Sequence, residues 1–199
     1  LLTAVLAEYC PGLKLNTTLP QKERKEQTIL EPEQIGILLR AVEGTVMEIP
    51  VLLAVWMCMR SSEIAGQTWD CVDFERGTIT IKKALGCGRD NQWVEKGTKT
   101  TSSTRTVRAP DYIMARLRAA KEEASDDHVT HLKGSCLRDR LHTITKHNGL
   151  PSIRFHDLRH TSASVMLLLN IPNKYAQARG GWATDHTMKE VYQHLMDSK

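Results

Sequence analysis

Pro50-Val51-Leu52-Leu53-Ala54-Val55-Trp56-Met57-Cys58-Met59-Arg60 is the most apolar stretch of the chain, and it ends on a cation. Val51 to Met59 is about half of the roughly 20 residues a helix needs to span a bilayer, and no signal-peptide pattern precedes it. The stretch therefore reads as a helix buried in a core, with Arg60 at its end, where a cation favours the helix dipole. Working outward, Glu31-Pro32 opens an earlier helix with proline in a favourable first-turn position. Ile35, Leu38, Leu39 and Val42 form its core face, and Gly44 ends it. On the other side, Ser61 or Ser62 is expected to cap a short third helix.

From Trp69 the pattern changes. Thr78-Ile79-Thr80-Ile81, Trp93-Val94 and Arg105-Thr106-Val107 are rich in β-branched or aromatic residues and are separated by glycine and serine, which predicts three short antiparallel strands. After Pro110 helices return, at about 111–124, 135–148 (capped by Ser135 and stopped near Asn148-Gly149), 157–169, 172–179 and 185–196. The expected fold class is α+β: a mainly α-helical domain with a small three-stranded antiparallel sheet inserted after the second or third helix. Residues 1–28 are expected to be the remnant of an upstream domain and its linker, because the chain starts on Leu1 and a polar stretch, Gln21 to Gln27, follows Pro20. Residues 29–199 then form the main domain.

The 199 residues suffice for one core of ordinary size. There are 27 Lys and Arg against 23 Asp and Glu, a basic lean that permits a nucleic-acid partner without demanding one. Five cysteines, Cys10, Cys58, Cys71, Cys87 and Cys136, are odd in number and form no CxxC pair, which argues against a disulfide framework and for a reducing compartment. No membrane span is expected. Asp126, Asp127, His128, His131 and Cys136 are metal-capable, but their spacing matches no standard zinc pattern.

The chemistry gathers around His156-Asp157-Leu158-Arg159-His160-Thr161. Its His156 and Arg159, three apart, project from one side of a helix start. This segment, followed by Gly180-Gly181-Trp182 and by Tyr192 ten residues after the tryptophan, resembles the second conserved box of the tyrosine recombinases, the phage integrase family. Met59-Arg60-Ser61-Ser62-Glu63-Ile64 resembles that family's first arginine box, and Lys99-Thr100-Thr101-Ser102-Ser103-Thr104-Arg105 its lysine-bearing hairpin. The order and spacing agree over about residues 28–199. The resemblance implies an integrase catalytic domain with the DNA breaking-rejoining fold. It implies site-specific recombination, the integration or excision of a mobile element, through a 3′-phosphotyrosyl intermediate. The implied partner is double-stranded DNA at attachment sites, held by a homotetramer on two duplexes. The implied place is the bacterial cytoplasm, in association with the nucleoid.

The residue types are chemically coherent on their own terms. A free tyrosine has a pKa of about 10, so only about one phenol in a thousand is ionised near neutral pH. Attack on a phosphodiester builds negative charge on the non-bridging oxygens. Arg60 and Arg159 are able to hold those oxygens bidentately while staying protonated. Such clamps substitute for divalent metals, so neither a metal nor any other cofactor is expected. His156, with a pKa near working pH, suits either proton acceptance from the phenol or hydrogen bonding to phosphate. By the resemblance, Lys99 protonates the departing 5′ hydroxyl, and Trp182 stands where most relatives carry histidine. An indole donates one N–H and accepts nothing useful, which makes Trp182 a positioner. The expected catalytic set is Arg60, Lys99, His156, Arg159, Trp182 and the nucleophile Tyr192.

Each member also has an ordinary explanation. Tyr192 taken alone is a half-buried helix tyrosine beside Val191 and Leu195, and Lys96 competes with Lys99. Glu63 is well placed to orient an active-site group, yet a first-turn carboxylate stabilised by the helix dipole explains it almost as well, so it stays outside the set. His160 and His194 are equally explained by capping or packing. One departure from the family stands out. Arg60 is commonly preceded by a small Thr-Gly turn, whereas Met57-Cys58-Met59 stands here, so the backbone before the arginine is expected to differ. The competing functions are type IB topoisomerase-like relaxation of DNA and a catalytically inactive DNA-binding module.

Overall fold

The computed structural model describes residues 28–87, 93–97 and 104–182, together with residues 6, 8–10 and 184; at 87 and 95–97 the backbone alone is described. Helix α1 (Pro32–Val42) starts where Glu31-Pro32 predicts, its first turn closed by the Glu31 N–H donating to Gln34 Oε1 at 3.0 Å. Helix α2 (Glu48–Met57) is the apolar stretch, and Val51, Leu52, Leu53, Ala54, Val55 and Met57 are all buried. Burial on nearly every face makes α2 the centre of the core: α1, α4 (Asp111–Glu122) and α6 (Asp157–Leu168) all pack on it. Each Leu or Val so buried contributes roughly 1.5–3 kcal/mol of hydrophobic stabilisation.

α2 ends at Cys58, which takes φ 52° and ψ 31°, with its N–H on the Leu53 carbonyl. This left-handed cap is normally glycine's. Cysteine here occupies a conformation that glycine ordinarily takes, and it turns the chain toward Arg60. Helix α3 (Ser61–Ala65) follows at once, but neither Ser61 nor Ser62 caps it. Arg60 is the N-cap residue, and its N–H donates to Glu63 Oε2 at 2.8 Å.

The sheet exists with a different membership from the one expected. β2 (Thr78–Ile81) lies between β1 (Val72–Asp73) and β5 (Arg105–Arg108), all antiparallel, with Ile79 opposite both Val72 and Val107. The Trp93-Val94 strand pairs elsewhere. It belongs to β4 (Trp93–Gly97), which forms a separate two-stranded hairpin with β3 (Lys83–Cys87). Lys83-Ala84-Leu85-Gly86-Cys87 has no β-branched residue, so propensity hides β3; its partner strand creates it. Helix α5 (Gly134–His147) starts at Gly134 with Lys133 as N-cap, two residues before the expected Ser135 cap, and stops at Asn148-Gly149 as expected. Helix α7 (Asn173–Gly180) closes the described domain. The helix expected at 185–196 lies outside the described residues.

Candidate active site

Arg159 sits one turn into α6, and the start of that helix fixes where it points. The Arg154 N–H donates to Asp157 Oδ2 at 2.8 Å, and Arg154 Nη2 reaches Oδ1 at 2.7 Å, so the carboxylate locks the first turn. Arg159 is consequently driven inward against the end of α2, only 2% exposed. Its Nη1 donates to the Cys58 carbonyl and its Nη2 to the Gly180 carbonyl. The Trp182 ring covers its guanidinium at 4.8 Å. Burial, then the neighbouring charge of Arg60, push the Arg159 pKa down to about 10, so it remains a cation at neutral pH.

The glycine pair makes this approach possible. A Cβ on Gly180 would overlap the Trp182 ring carbons, and Gly181 ends α7 at φ 60°, a conformation that disfavours any side chain. Their carbonyls are neighbouring acceptors. Gly180 takes Arg159, and Gly181 accepts from Arg60 Nη2 at 3.5 Å.

Arg60 lies on the rim, its side chain 36% exposed, with Nη1 on Glu63 Oε1 at 2.7 Å. Glu63 is buried and is shared. From β5, Arg105 grips both of its oxygens, Nη1 to Oε1 at 3.1 Å and Nη2 to Oε2 at 3.0 Å. Burial acts to raise the Glu63 pKa, but the hydrogen bonds and charge of Arg105, followed by those of Arg60, outweigh it and hold the carboxyl below its ordinary value. Glu63 is thus an ionised acceptor between two guanidiniums.

His156 precedes α6 and remains open to solvent, while its ring meets the buried His160 edge-on at 5.1 Å. Partial desolvation against the site wall, then the positive influence of His160 and Arg159, depress its pKa to about 4. At neutral pH the imidazole is uncharged and able to accept a proton.

Four of the six expected residues, Arg60, His156, Arg159 and Trp182, therefore share one site between α2, α6 and the end of α7. Lys99 and Tyr192 lie outside the described residues, as does His194, and at Lys96 only the backbone is described. Among the described residues no three His, Cys, Asp or Glu side chains gather at metal-binding range. No helix among them is long and apolar enough to cross a membrane. Two participants escaped the expected set. Glu63 had an ordinary alternative explanation. Arg105 carried a readable signal: it shares the phase of Val107 on β5, whose burial alternates, so a cation sits on the inward face of a strand.

Fold and site together define the class of integrase catalytic domains. The Tn1549 transposon integrase, solved with transposon right-end DNA, superposes with a TM-score of 0.77 at 14% identity, covering 89% of this chain and 68% of that one. XerA recombinase gives 0.68 at 15% identity over 98% of this chain and 72% of its own. A lambda integrase dimer bound to a core site gives 0.66 at 16% identity over 96% and 69%. The chain belongs to the Phage integrase family, whose profile matches residues 28–199. An integrase of Saccharopolyspora erythraea is 30% identical over 125 residues, 53% of this chain and 28% of that protein. A XerC-like tyrosine recombinase of Caldanaerobacter subterraneus subsp. tengcongensis is 21% identical over 218 residues, 94% of this chain and 56% of that protein. The chain thus spans between about a quarter and just over half of the length of these curated relatives.

Proposed function

We propose that this chain is the catalytic domain, residues 29–199, of a site-specific recombinase that cleaves and rejoins double-stranded DNA through Tyr192. One observation carries the reading: Arg159 is bonded to the Gly180 carbonyl while Arg60, held by Glu63, reaches the adjacent Gly181 carbonyl at 3.5 Å, which brings two permanent cations to one spot beside a neutral imidazole. That spot suits the non-bridging oxygens of a scissile phosphodiester.

In this mechanism the Tyr192 oxygen bonds to phosphorus as its proton passes to His156. The bond from phosphorus to the 5′ oxygen breaks, and Lys99 supplies a proton to the departing hydroxyl. A 5′ hydroxyl of another strand then displaces the tyrosine and restores a phosphodiester. Trp182 holds Arg159 in register by packing over it. The full assembly is a homotetramer on two duplexes at the attachment sites of a mobile element, in the cytoplasm of a bacterial cell and associated with its nucleoid.

The test is covalent capture. Full-length protein incubated with a nicked suicide duplex, carrying an end of the element that encodes it, is expected to form an SDS-stable adduct that Tyr192→Phe does not form. Absence of the adduct with full-length protein overturns the reading. Supercoil relaxation without transfer between duplexes would assign the chemistry to a topoisomerase instead.

A further inference from the structure

Arg105 has no role in the chemistry just described, yet it is the most heavily engaged guanidinium of the site. Its side chain is 7% exposed. Nε donates to the Arg179 carbonyl at 2.9 Å, which ties β5 to α7. Nη1 and Nη2 grip Glu63, and the same Nη2 also reaches the Cys58 carbonyl at 3.3 Å. Glu63 is the carboxylate that holds Arg60, and the Cys58 carbonyl is an acceptor for Arg159. One nitrogen of Arg105 therefore touches the anchors of both clamp arginines.

We propose that Arg105 is the positioning residue of the clamp, fixing Arg60 through Glu63 and Arg159 through the Cys58 carbonyl. The inference rests on the recombinase reading for its consequence in catalysis, but its structural content is independent of it. The need for arginine follows from geometry. A planar fork satisfies two carboxylate oxygens and a carbonyl at once, whereas a lysine ammonium is a single point that cannot span them. Burial makes the role sensitive, because a charged partner left without its fork in low dielectric is costly. The charged groups facing Glu63 are Arg60 at the N-cap of its own helix, Arg105 from β5 and Arg159 from α6. With Arg105 gone, burial is opposed only by more distant or more exposed cations.

The experiment uses full-length Arg105→Lys and Arg105→Met with two readouts. First, nitrogen NMR of the arginine side chains is recorded without DNA. The Nε–H signals of Arg60 and Arg159 are expected to be sharp and dispersed in the wild type. In both variants they are expected to collapse toward the position of free arginine. Second, single-turnover adduct formation on the nicked duplex is expected to fall about 100-fold, as for a misplaced oxyanion donor, with DNA affinity changed less than about threefold. In Arg105→Met the residual rate should rise with pH as Glu63 ionises at a higher pH than in the wild type; adding Glu63→Gln should abolish that rise. Should Arg105→Met fail to fold, Arg105→Lys keeps the buried charge and decides the matter. Unchanged Arg60 and Arg159 signals in a folded variant, or wild-type cleavage by it, overturn the proposal. If the wild type itself forms no adduct, the recombinase reading fails and the NMR result alone decides the positioning role.

Discussion

The floor and the rim of the site hold the same chemical group in opposite conditions. On the floor, Arg159 and Arg105 are 2% and 7% exposed, and their guanidiniums are bonded to backbone carbonyls and to a buried carboxylate. On the rim, Arg60 is 36% exposed, touches the Gly181 carbonyl at only 3.5 Å, and has His156 open to solvent nearby. The floor is set before any substrate arrives, and the low dielectric strengthens what it holds. On the recombinase reading, the rim keeps freedom to adjust to a phosphate. A clamp built this way carries its reorganisation cost in the folding of the protein, which is what preorganised electrostatic stabilisation requires.

The sharpest way to break the contrast is Arg159→Lys. It keeps the charge and loses the fork that spans the Cys58 and Gly180 carbonyls. Adduct formation on the nicked duplex is expected to fall by about 10²- to 10³-fold while DNA binding stays within severalfold, because geometry rather than charge is lost. The same change on the rim, Arg60→Lys, should cost less, since an exposed ammonium is able to move to the phosphate. Equal losses at the two positions, in single-turnover assays, would show that floor and rim are not distinct.

The contrast also explains what was legible in the sequence. α2 was readable because a run apolar on every face has one destination. Arg60, His156, Arg159 and Trp182 were singled out by the resemblance of their segments to the phage integrase boxes, and the fold brings the four together; their roles belong to the proposal. β3 was not, because Lys83 to Cys87 owe their strand to pairing with Trp93 to Gly97 rather than to their own propensity. Arg105 was missed for a related reason. It was taken as a strand residue, and only tertiary contact turns an inward cation on β5 into the partner of a glutamate 42 positions earlier. The cap of α3 was misplaced because serines are usual caps, whereas here the Glu63 carboxylate captures the Arg60 N–H.

Gly180→Ala tests whether the lid over the floor matters. The added methyl meets the Trp182 ring, which must move off Arg159. Overpacking of this kind costs about 1–3 kcal/mol, read as a lowered urea midpoint, and the freed guanidinium should slow adduct formation by about tenfold. A variant with unchanged cleavage would show that the tryptophan packs without positioning.

Cys58 gives a smaller effect with an informative sign. A non-glycine residue at φ 52° carries roughly 1–2 kcal/mol of backbone strain. Cys58→Gly relieves it but loses the buried Sγ, which lies 2.8 Å from Ser162 Oγ, so the net change in stability should stay within about 1 kcal/mol. Cys58→Val adds a β-branch to the same conformation and should destabilise by about 2 kcal/mol or more in equilibrium urea unfolding. If valine were tolerated as well as glycine, the left-handed cap would not be what holds the carbonyl toward Arg159.

The smallest effect belongs to the rim and concerns protons. His156 has its pKa lowered to about 4 from the ordinary 6.5, first by desolvation and then by His160 and Arg159. Above pH 6.5 the imidazole is neutral in both folded and unfolded chains and stability is indifferent to it. Between pH 6.5 and about 4 the unfolded chain binds the proton and the folded one does not, so stability must decline as the pH falls through that window, with no further loss below it. His156→Asn removes this part of the slope. Urea midpoints at pH 7.5 and 4.5 should therefore differ less in the variant than in the wild type. Bound DNA should reverse the sign locally, because a phosphate beside the ring favours the imidazolium. A nicked duplex that fails to raise the His156 pKa in NMR titration would place the phosphate away from this side of the rim.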